Sequence, residues 1–169
     1  MPVEPTGLIR AVAGQFEVAG RDHSLVVDLP DGLPLVLADI QAVRTALGQL
    51  LENAFKYSPD GGTVTVQAAC TPDGGALEVS VADQGIGLAS GEIDYLFTAF
   101  YQGETRTRSN VRGGVGLGLS IVRRLVEAMA GQVGATGEPW PGSPTARPAC
   151  EASRLPNLQY RSVGPPGCW

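Results

Sequence analysis

Four glycines crowd into six positions near residue 115 and run directly into an apolar helical pattern: Gly113, Gly114, Gly116 and Gly118. Glycine is a poor residue for a helix interior, so the cluster needs a physical reason. Glycines at the start of a helix expose unpaired backbone N–H groups beside the positive end of the helix dipole, which favours binding of a phosphate. A hinge and close packing of a helix on a sheet are the alternatives.

Two better-known phosphate-binding motifs do not fit this cluster. A dinucleotide-binding G-x-G-x-x-G that starts at Gly114 requires a glycine at position 119, where the chain has Leu119. A Walker loop counted from Gly113 reaches Gly118, but Leu119 again stands where the lysine is needed. Only the general affinity of a helix N-terminus for anions remains.

A carboxylate at the end of a predicted strand is the second candidate for chemistry. Leu77, Val79 and Val81 alternate along the pattern and face one side of a sheet, and Asp83 has the same parity. An inward-facing carboxylate is partly desolvated and requires a partner.

The elements that position these residues follow from the periodicity. A long helix begins after Asp39, a good N-cap, ends before Pro59, and has an apolar face formed by Ile40, Val43, Leu47, Leu50, Leu51 and Ala54. Two β-rich runs around "TPDGG" predict a hairpin, and further helices are predicted near each end of the folded region. This order predicts an α+β fold, a two-layer sandwich with helices on one face of a mixed, mostly antiparallel sheet.

Composition excludes several classes of function. The 169 residues are 43% hydrophobic and 17% charged, with a formal net charge of −5, so electrostatic binding to nucleic acid or to an anionic membrane is not expected. No run reaches the roughly 20 apolar residues of a membrane span, and we expect a cytoplasmic protein or the cytosolic part of a larger one. The three cysteines lack metal-ligand spacing and are expected to be free thiols.

Four blocks stand in a fixed order along the chain: "LGQLLENAFKYSP", "VADQGIGL", "LFTAFYQG" and "GGVGLGL". Together they resemble the N, G1, F and G2 boxes of the ATP-binding catalytic domain of bacterial sensor histidine kinases. That domain belongs to the superfamily of Bergerat-fold ATPases, which includes gyrase B and MutL. The resemblance covers roughly residues 6–134 and implies a Bergerat α/β sandwich that binds ATP and Mg²⁺.

The resemblance assigns roles on the long helix. Asn53 is similar to the N-box asparagine that coordinates Mg²⁺, and oxygen ligands suit that ion. Lys56 is similar to the basic residue that reaches the phosphates, and Tyr57 to the aromatic residue that closes over the nucleotide; a solvated lysine and simple packing are the alternatives. Gln49, a possible second Mg²⁺ ligand, occupies the place of the glutamate base of hydrolytic relatives and cannot accept a proton. Glu52 lies about 100° around the helix from Asn53, so we do not assign it as a base.

Further nucleotide contacts are implied elsewhere. Asp83 resembles the aspartate that accepts a hydrogen bond from the adenine amine, although a carboxylate that caps the following turn is an alternative. Around it and in the later boxes, the resemblance assigns ATP binding to Gly85, Gly87, Phe100, Gly114, Gly116, Leu117, Gly118 and Leu119. Phe97 and Phe100 match the F box, although ordinary core packing would also explain them. Residues 101–113, with their three arginines, are the predicted ATP lid.

The function implied is binding of Mg–ATP and donation of its γ-phosphate to a histidine on a separate dimerisation domain, with a response regulator as the indirect partner. An anti-sigma-factor-type serine kinase is an alternative that Gln49 disfavours, and a non-catalytic nucleotide-binding module is another. His23 lies in "GRDHSLVV", which does not resemble a phosphoacceptor sequence, and we expect it to be a surface imidazole. The chain is therefore expected to bind ATP without phosphorylating itself.

The C-terminal part departs from the family pattern. After "GQVGATGEP" the sequence is rich in proline and shows neither the helical nor the strand period. We therefore predict a catalytic domain over residues 1–137 and a disordered tail over residues 138–169, for which a frameshift or an unusual terminus would account.

Overall fold

The structure is a computed structural model that describes residues 1–16, 22–58, 60–71, 76–85, 87, 91–101, 116–137 and 156–162. Its regular elements follow in the order β1 (Pro2–Val3), α1 (Pro5–Ala13), β2 (His23–Asp28), β3 (Val36–Leu37), α2 (Ile40–Lys56), β4 (Gly62–Cys70), β5 (Leu77–Asp83), a 3-10 turn (Ile93–Tyr95), α3 (Gly118–Ala128), β6 (Gln132–Gly137) and β7 (Pro156–Ser162). None of the helices within these residues is long and apolar enough to cross a membrane.

Helix α2 forms as the sequence predicts. The Asp39 carboxylate caps its first turn, where Oδ1 accepts hydrogen bonds from the backbone N–H groups of Gln41 and Ala42 at 2.8 and 3.1 Å. These bonds satisfy two of the amide groups that a helix start leaves unpaired. The apolar face of α2 is buried through Val43, Ala46, Leu47, Leu50, Leu51 and Ala54. The polar face is thereby directed away from the sheet, toward the site described below.

The five-stranded sheet has the order β2-β4-β5-β7-β6, and β1 pairs with β3 in a separate two-stranded sheet. The β4–β5 hairpin is antiparallel, as predicted, whereas β2–β4, β5–β7 and β6–β7 are parallel pairs. The sheet is therefore mixed, as expected, but the prediction that it is mostly antiparallel is wrong. The connection from β2 to β4 passes through α2, and such a crossover returns the chain in the same direction.

Burial alternates along the central strands. β5 buries Leu77, Val79, Val81 and Asp83 and leaves the residues between them partly exposed, which confirms the predicted inward parity. Helix α2 packs on β4 and β5, α3 packs on α2 and β6, and α1 packs on α2. The helices thus cover one face of the sheet, and the core between the two layers is continuous.

The segment predicted as a disordered tail contains a strand. Pro156–Ser162 forms β7, which inserts between β5 and β6 and pairs with both over its length. The expectation of disorder is wrong for these seven residues. The strand was missed because a parallel central strand pairs with segments far away in sequence, which local patterns do not reveal. The rest of residues 138–169 lies outside the described residues, and the domain boundary at 137 stays a prediction.

We expect Leu50→Ala to lower the free energy of unfolding by about 2–5 kcal/mol, because the side chain is fully buried between α2 and the sheet. Leu37→Ala makes the same chemical change at a side chain that is 74% exposed, and should cost less than about 0.5 kcal/mol. Urea denaturation followed by circular dichroism measures both. Equal losses in the two variants would contradict this view of the core.

Candidate functional site

A cavity of about 450 Å³ opens between the second half of α2 and the start of α3. Its walls are formed by Gln49, Glu52, Asn53, Lys56, Tyr57, Leu96, Tyr101, Gly116, Leu117, Gly118, Leu119 and Ile121. Eight of these twelve residues are among the site residues expected from the sequence, so folding brings the N-box helix and the second glycine box together.

The wall formed by α2 carries polar groups at helical spacing. Gln49 and Asn53 lie one turn apart, and Lys56 and Tyr57 follow on the next turn. The Lys56 ammonium lies 5.3 Å from the centre of the Tyr57 ring, a cation–π contact that holds the charge at the edge of the cavity. This wall therefore offers two side-chain amides and one positive charge to a ligand.

The opposite wall is the N-terminus of α3. Its N-cap, Leu117, makes no side-chain capping bond, and the Ser120 hydroxyl donates to the Leu117 carbonyl instead of capping the helix. The first backbone N–H groups of an α-helix point away from it and carry partial positive charge. Beside a cavity this arrangement suits an anion, which is the phosphate chemistry that the glycine cluster predicts.

Gly118 allows α3 to approach α2 closely. A side chain at this position would collide with Oε1 of Gln49, and its Cβ would lie 3.8 Å from Nδ2 of Asn53. Both amides of the α2 wall therefore converge on the first residue of α3. The close-packing and phosphate-binding explanations of the glycine cluster are compatible at this position.

Gly116 has a backbone conformation that glycine adopts easily, with φ of 76°. Its carbonyl accepts a hydrogen bond of 3.0 Å from the backbone N–H of Phe100, which itself has φ of 64°. The Phe100 side chain is 68% exposed and does not line the cavity, whereas its neighbour Tyr101 does. Phe97, the other expected F-box aromatic, is buried in the core.

Asp83 is buried at the end of β5, with 1% of its surface exposed. Its Oδ1 accepts a hydrogen bond of 2.8 Å from the backbone N–H of Gly85, so the carboxylate does cap the following turn. A Cβ on Gly85 would lie 2.7 Å from the Ser58 hydroxyl, so this glycine permits the turn to pack on the end of α2. Gly87 has φ of 74°. Asp83, Gly85 and Gly87 do not line the cavity, although Gly85 lies against the end of α2, close to Tyr57.

His23 is not the surface imidazole expected from the sequence. Its Nε2 lies 2.6 Å from the backbone carbonyl oxygen of Ser58, and its ring packs edge-on against Phe55 with centroids 5.3 Å apart. The residue is half-buried because β2 runs alongside β4 and faces the end of α2. This contact was not readable from sequence, since it joins residues 35 positions apart.

Four cavity residues were not expected: Glu52, Leu96, Tyr101 and Ile121. Leu96 and Tyr101 flank the expected F-box aromatics, so that box did indicate the correct segment. Glu52 is three residues from Gln49, and this spacing was the available signal. Gly114 and the arginines of the predicted lid lie outside the described residues.

Known proteins are similar to this chain in sequence. The sequence profile of the family described as histidine kinase-, DNA gyrase B-, and HSP90-like ATPase matches residues 38–148. Sensor histidine kinase WalK of Bacillus subtilis is 33% identical over 72% of this chain and 20% of its own length. The sensor-like histidine kinase SenX3 of Mycolicibacterium smegmatis is 35% identical over 83% of this chain and 36% of its own length. The chain thus spans a fifth to about a third of these relatives.

Solved structures agree. The mycobacterial sensor histidine kinase MprB superposes with a TM-score of 0.73 at 26% identity, over 88% of this chain and 99% of that one. Full-length ShkA in complex with AMPPNP superposes with a TM-score of 0.71 at 31% identity, over 99% of this chain and 32% of that one. With more than half of its sequence matched by the family profile, the chain belongs to the histidine kinase-, DNA gyrase B-, and HSP90-like ATPase family.

Proposed function

We propose that the chain is the nucleotide-binding catalytic domain of a two-component sensor histidine kinase. It binds Mg–ATP in the cavity between α2 and α3 and presents the γ-phosphate to a histidine on a separate dimerisation domain. The observation that carries the proposal is the convergence of Gln49 and Asn53, with Lys56 one turn beyond, on the uncapped start of α3. Polar groups of both helices meet across a space suited to a triphosphate.

The residues present fit a magnesium ion bound together with phosphates. Within the described part of the chain, no group of three or more His, Cys, Asp or Glu side chains could hold a metal. We assign the amide oxygen of Asn53 as the protein ligand of the cation, with Gln49 as a second candidate, and phosphate oxygens complete its coordination. When bound, Mg²⁺ neutralises charge that develops on the phosphates. Lys56 and the N–H groups of α3 supply the remaining positive potential.

The adenine end of the nucleotide is assigned to Asp83. Its carboxylate adjoins the end of α2 that carries Tyr57, and one of its oxygens already accepts from Gly85. A carboxylate that also accepts from the exocyclic amine of adenine would offset the cost of its burial. Gly85 and Gly87 shape the turn beside it, and Tyr57 bounds the cavity.

The phosphoryl acceptor comes from outside the chain. His23 packs against Phe55 and the Ser58 carbonyl, away from the cavity walls, so its ring is not placed to receive a phosphoryl group. Phosphoryl transfer depends mainly on positioning and electrostatic stabilisation, which the polar groups of α2 and the start of α3 would supply. The implied partners are a histidine-bearing dimerisation domain and, through it, a response regulator, all in the cytoplasm.

Asn53→Ala should weaken binding of Mg–ATP by about tenfold or more, because it removes the assigned amide ligand without disturbing the helix. Gln41→Ala removes an exposed amide at the other end of the same helix and should leave affinity unchanged. Isothermal titration calorimetry with Mg–ATP measures both variants beside the wild-type chain. Failure of the wild-type chain to bind would overturn the proposed function.

Asp83→Asn should weaken ATP binding by about 10- to 100-fold, because the amide replaces one acceptor oxygen by a donor nitrogen that cannot accept from adenine. The fold should be retained, because the remaining amide oxygen can still accept from the backbone N–H of Gly85. The control is Asp28→Asn, the same change at an exposed carboxylate that accepts from Gln67. Calorimetry gives affinities and thermal unfolding reports the fold. Wild-type affinity in Asp83→Asn would limit Asp83 to capping the turn.

Transfer itself is tested with radiolabelled Mg–ATP and separately expressed dimerisation domains of candidate kinases. We expect an acid-labile phosphohistidine on an acceptor domain and none on the chain alone. Nucleotide binding without transfer to any acceptor would favour a non-catalytic module. An acid-stable phosphoserine on a protein substrate would favour the serine-kinase alternative.

A further inference from the structure

Glu52 places a carboxylate on the wall of a cavity proposed to hold a polyanion. A negative charge near a triphosphate weakens binding through repulsion, so its presence calls for an explanation. Glu52 is exposed, and an exposed helical glutamate is ordinarily solvated or pairs with a lysine four positions later. The lysine at that spacing, Lys56, instead has its ammonium 5.3 Å from the centre of the Tyr57 ring.

The contact that Glu52 makes within the cavity wall is with Gln49. The Gln49 Nε2 group donates to Oε2 of Glu52 at 3.0 Å, across one turn of α2. An ionised carboxylate has acceptors only, so the nitrogen end of the Gln49 amide must face it. The oxygen end is thereby turned the other way, and Oε1 lies against Gly118 at the start of α3.

This orientation matters because an amide has two chemically opposite ends. If Gln49 rotated by half a turn about its last bond, an N–H donor would face Gly118 in place of an acceptor. A nitrogen in that place could not serve as a ligand of Mg²⁺, which binds oxygen atoms. In this wall, the carboxylate of Glu52 accepts from the nitrogen end of the amide.

We propose that Glu52 is a positioning residue of the nucleotide site, which holds the Gln49 amide oxygen toward the phosphate and cation side of the cavity. The proposal rests on the proposed function, since it concerns how Mg²⁺ strengthens ATP binding in the same cavity. Glu52 acts through Gln49 and makes ATP affinity depend on the cation. Partners of this kind typically change metal affinity by about 10- to 100-fold.

The test compares Glu52→Gln with the wild-type chain by the ratio of the ATP dissociation constant in EDTA to that in Mg²⁺. We expect this ratio to fall about tenfold, because glutamine at 52 can donate or accept and no longer dictates the direction of Gln49. A loss of fold would weaken both constants and leave the ratio unchanged. Glu127→Gln is the matched control, an exposed glutamate on α3 that pairs with Arg123 away from the cavity.

A double-mutant cycle with Gln49→Ala tests whether Glu52 acts through that residue. In the Gln49→Ala background, Glu52→Gln should leave the ratio unchanged. A fall of equal size in both backgrounds would overturn the positioning role and assign the effect to charge alone. An unchanged ratio in a Glu52→Gln variant whose two dissociation constants both stay near wild type would overturn this inference and leave the proposed function standing. No ATP binding by the wild-type chain would overturn both.

Discussion

The approach of α3 to α2 at Gly118 is the constraint on which the site depends. Burial of the apolar faces of both helices against the sheet fixes their positions, and the missing side chain at Gly118 lets the start of α3 reach the amides of Gln49 and Asn53. A Cβ at this position would collide with Oε1 of Gln49 and displace that amide from the start of α3. The same approach forms the cavity and aims the helix N-terminus into it, so packing and ligand chemistry have a single origin.

The parts of the structure that local rules govern were predictable from sequence. The cap at Asp39, the apolar face of α2 and the inward parity of Asp83 each depend on neighbours a few residues away, and each is confirmed. Strand direction depends on which distant segments meet. The parallel pairs of β2 and β7 were therefore missed, and the half-buried position of His23 was missed because its partner is Ser58, 35 residues away.

The candidate site was predictable in composition but not in arrangement. Gln49, Asn53 and Lys56 were identified through the resemblance to the N box of sensor histidine kinases, and the cavity brings them together. The exposure of the F-box aromatic side chains could not be predicted from the sequence. Phe97 and Phe100 look equivalent in sequence, yet Phe97 is buried in the core and Phe100 is exposed. Phe100 has a positive φ, and its backbone N–H donates to the carbonyl of Gly116, which is 16 residues away in sequence. Tyr101 occupies the wall instead.

The proposed kinase chemistry follows from what the α2 wall lacks. Hydrolysis needs a group that accepts a proton from water beside the γ-phosphate, and an amide at position 49 cannot do so. Glu52, the carboxylate on that wall, lies one turn away and accepts from Gln49. The position that carries a glutamate base in hydrolytic relatives therefore offers water no proton acceptor in this chain. Under the proposed function, bound ATP would remain intact until a partner domain supplies its histidine, and phosphoryl transfer would occur only then.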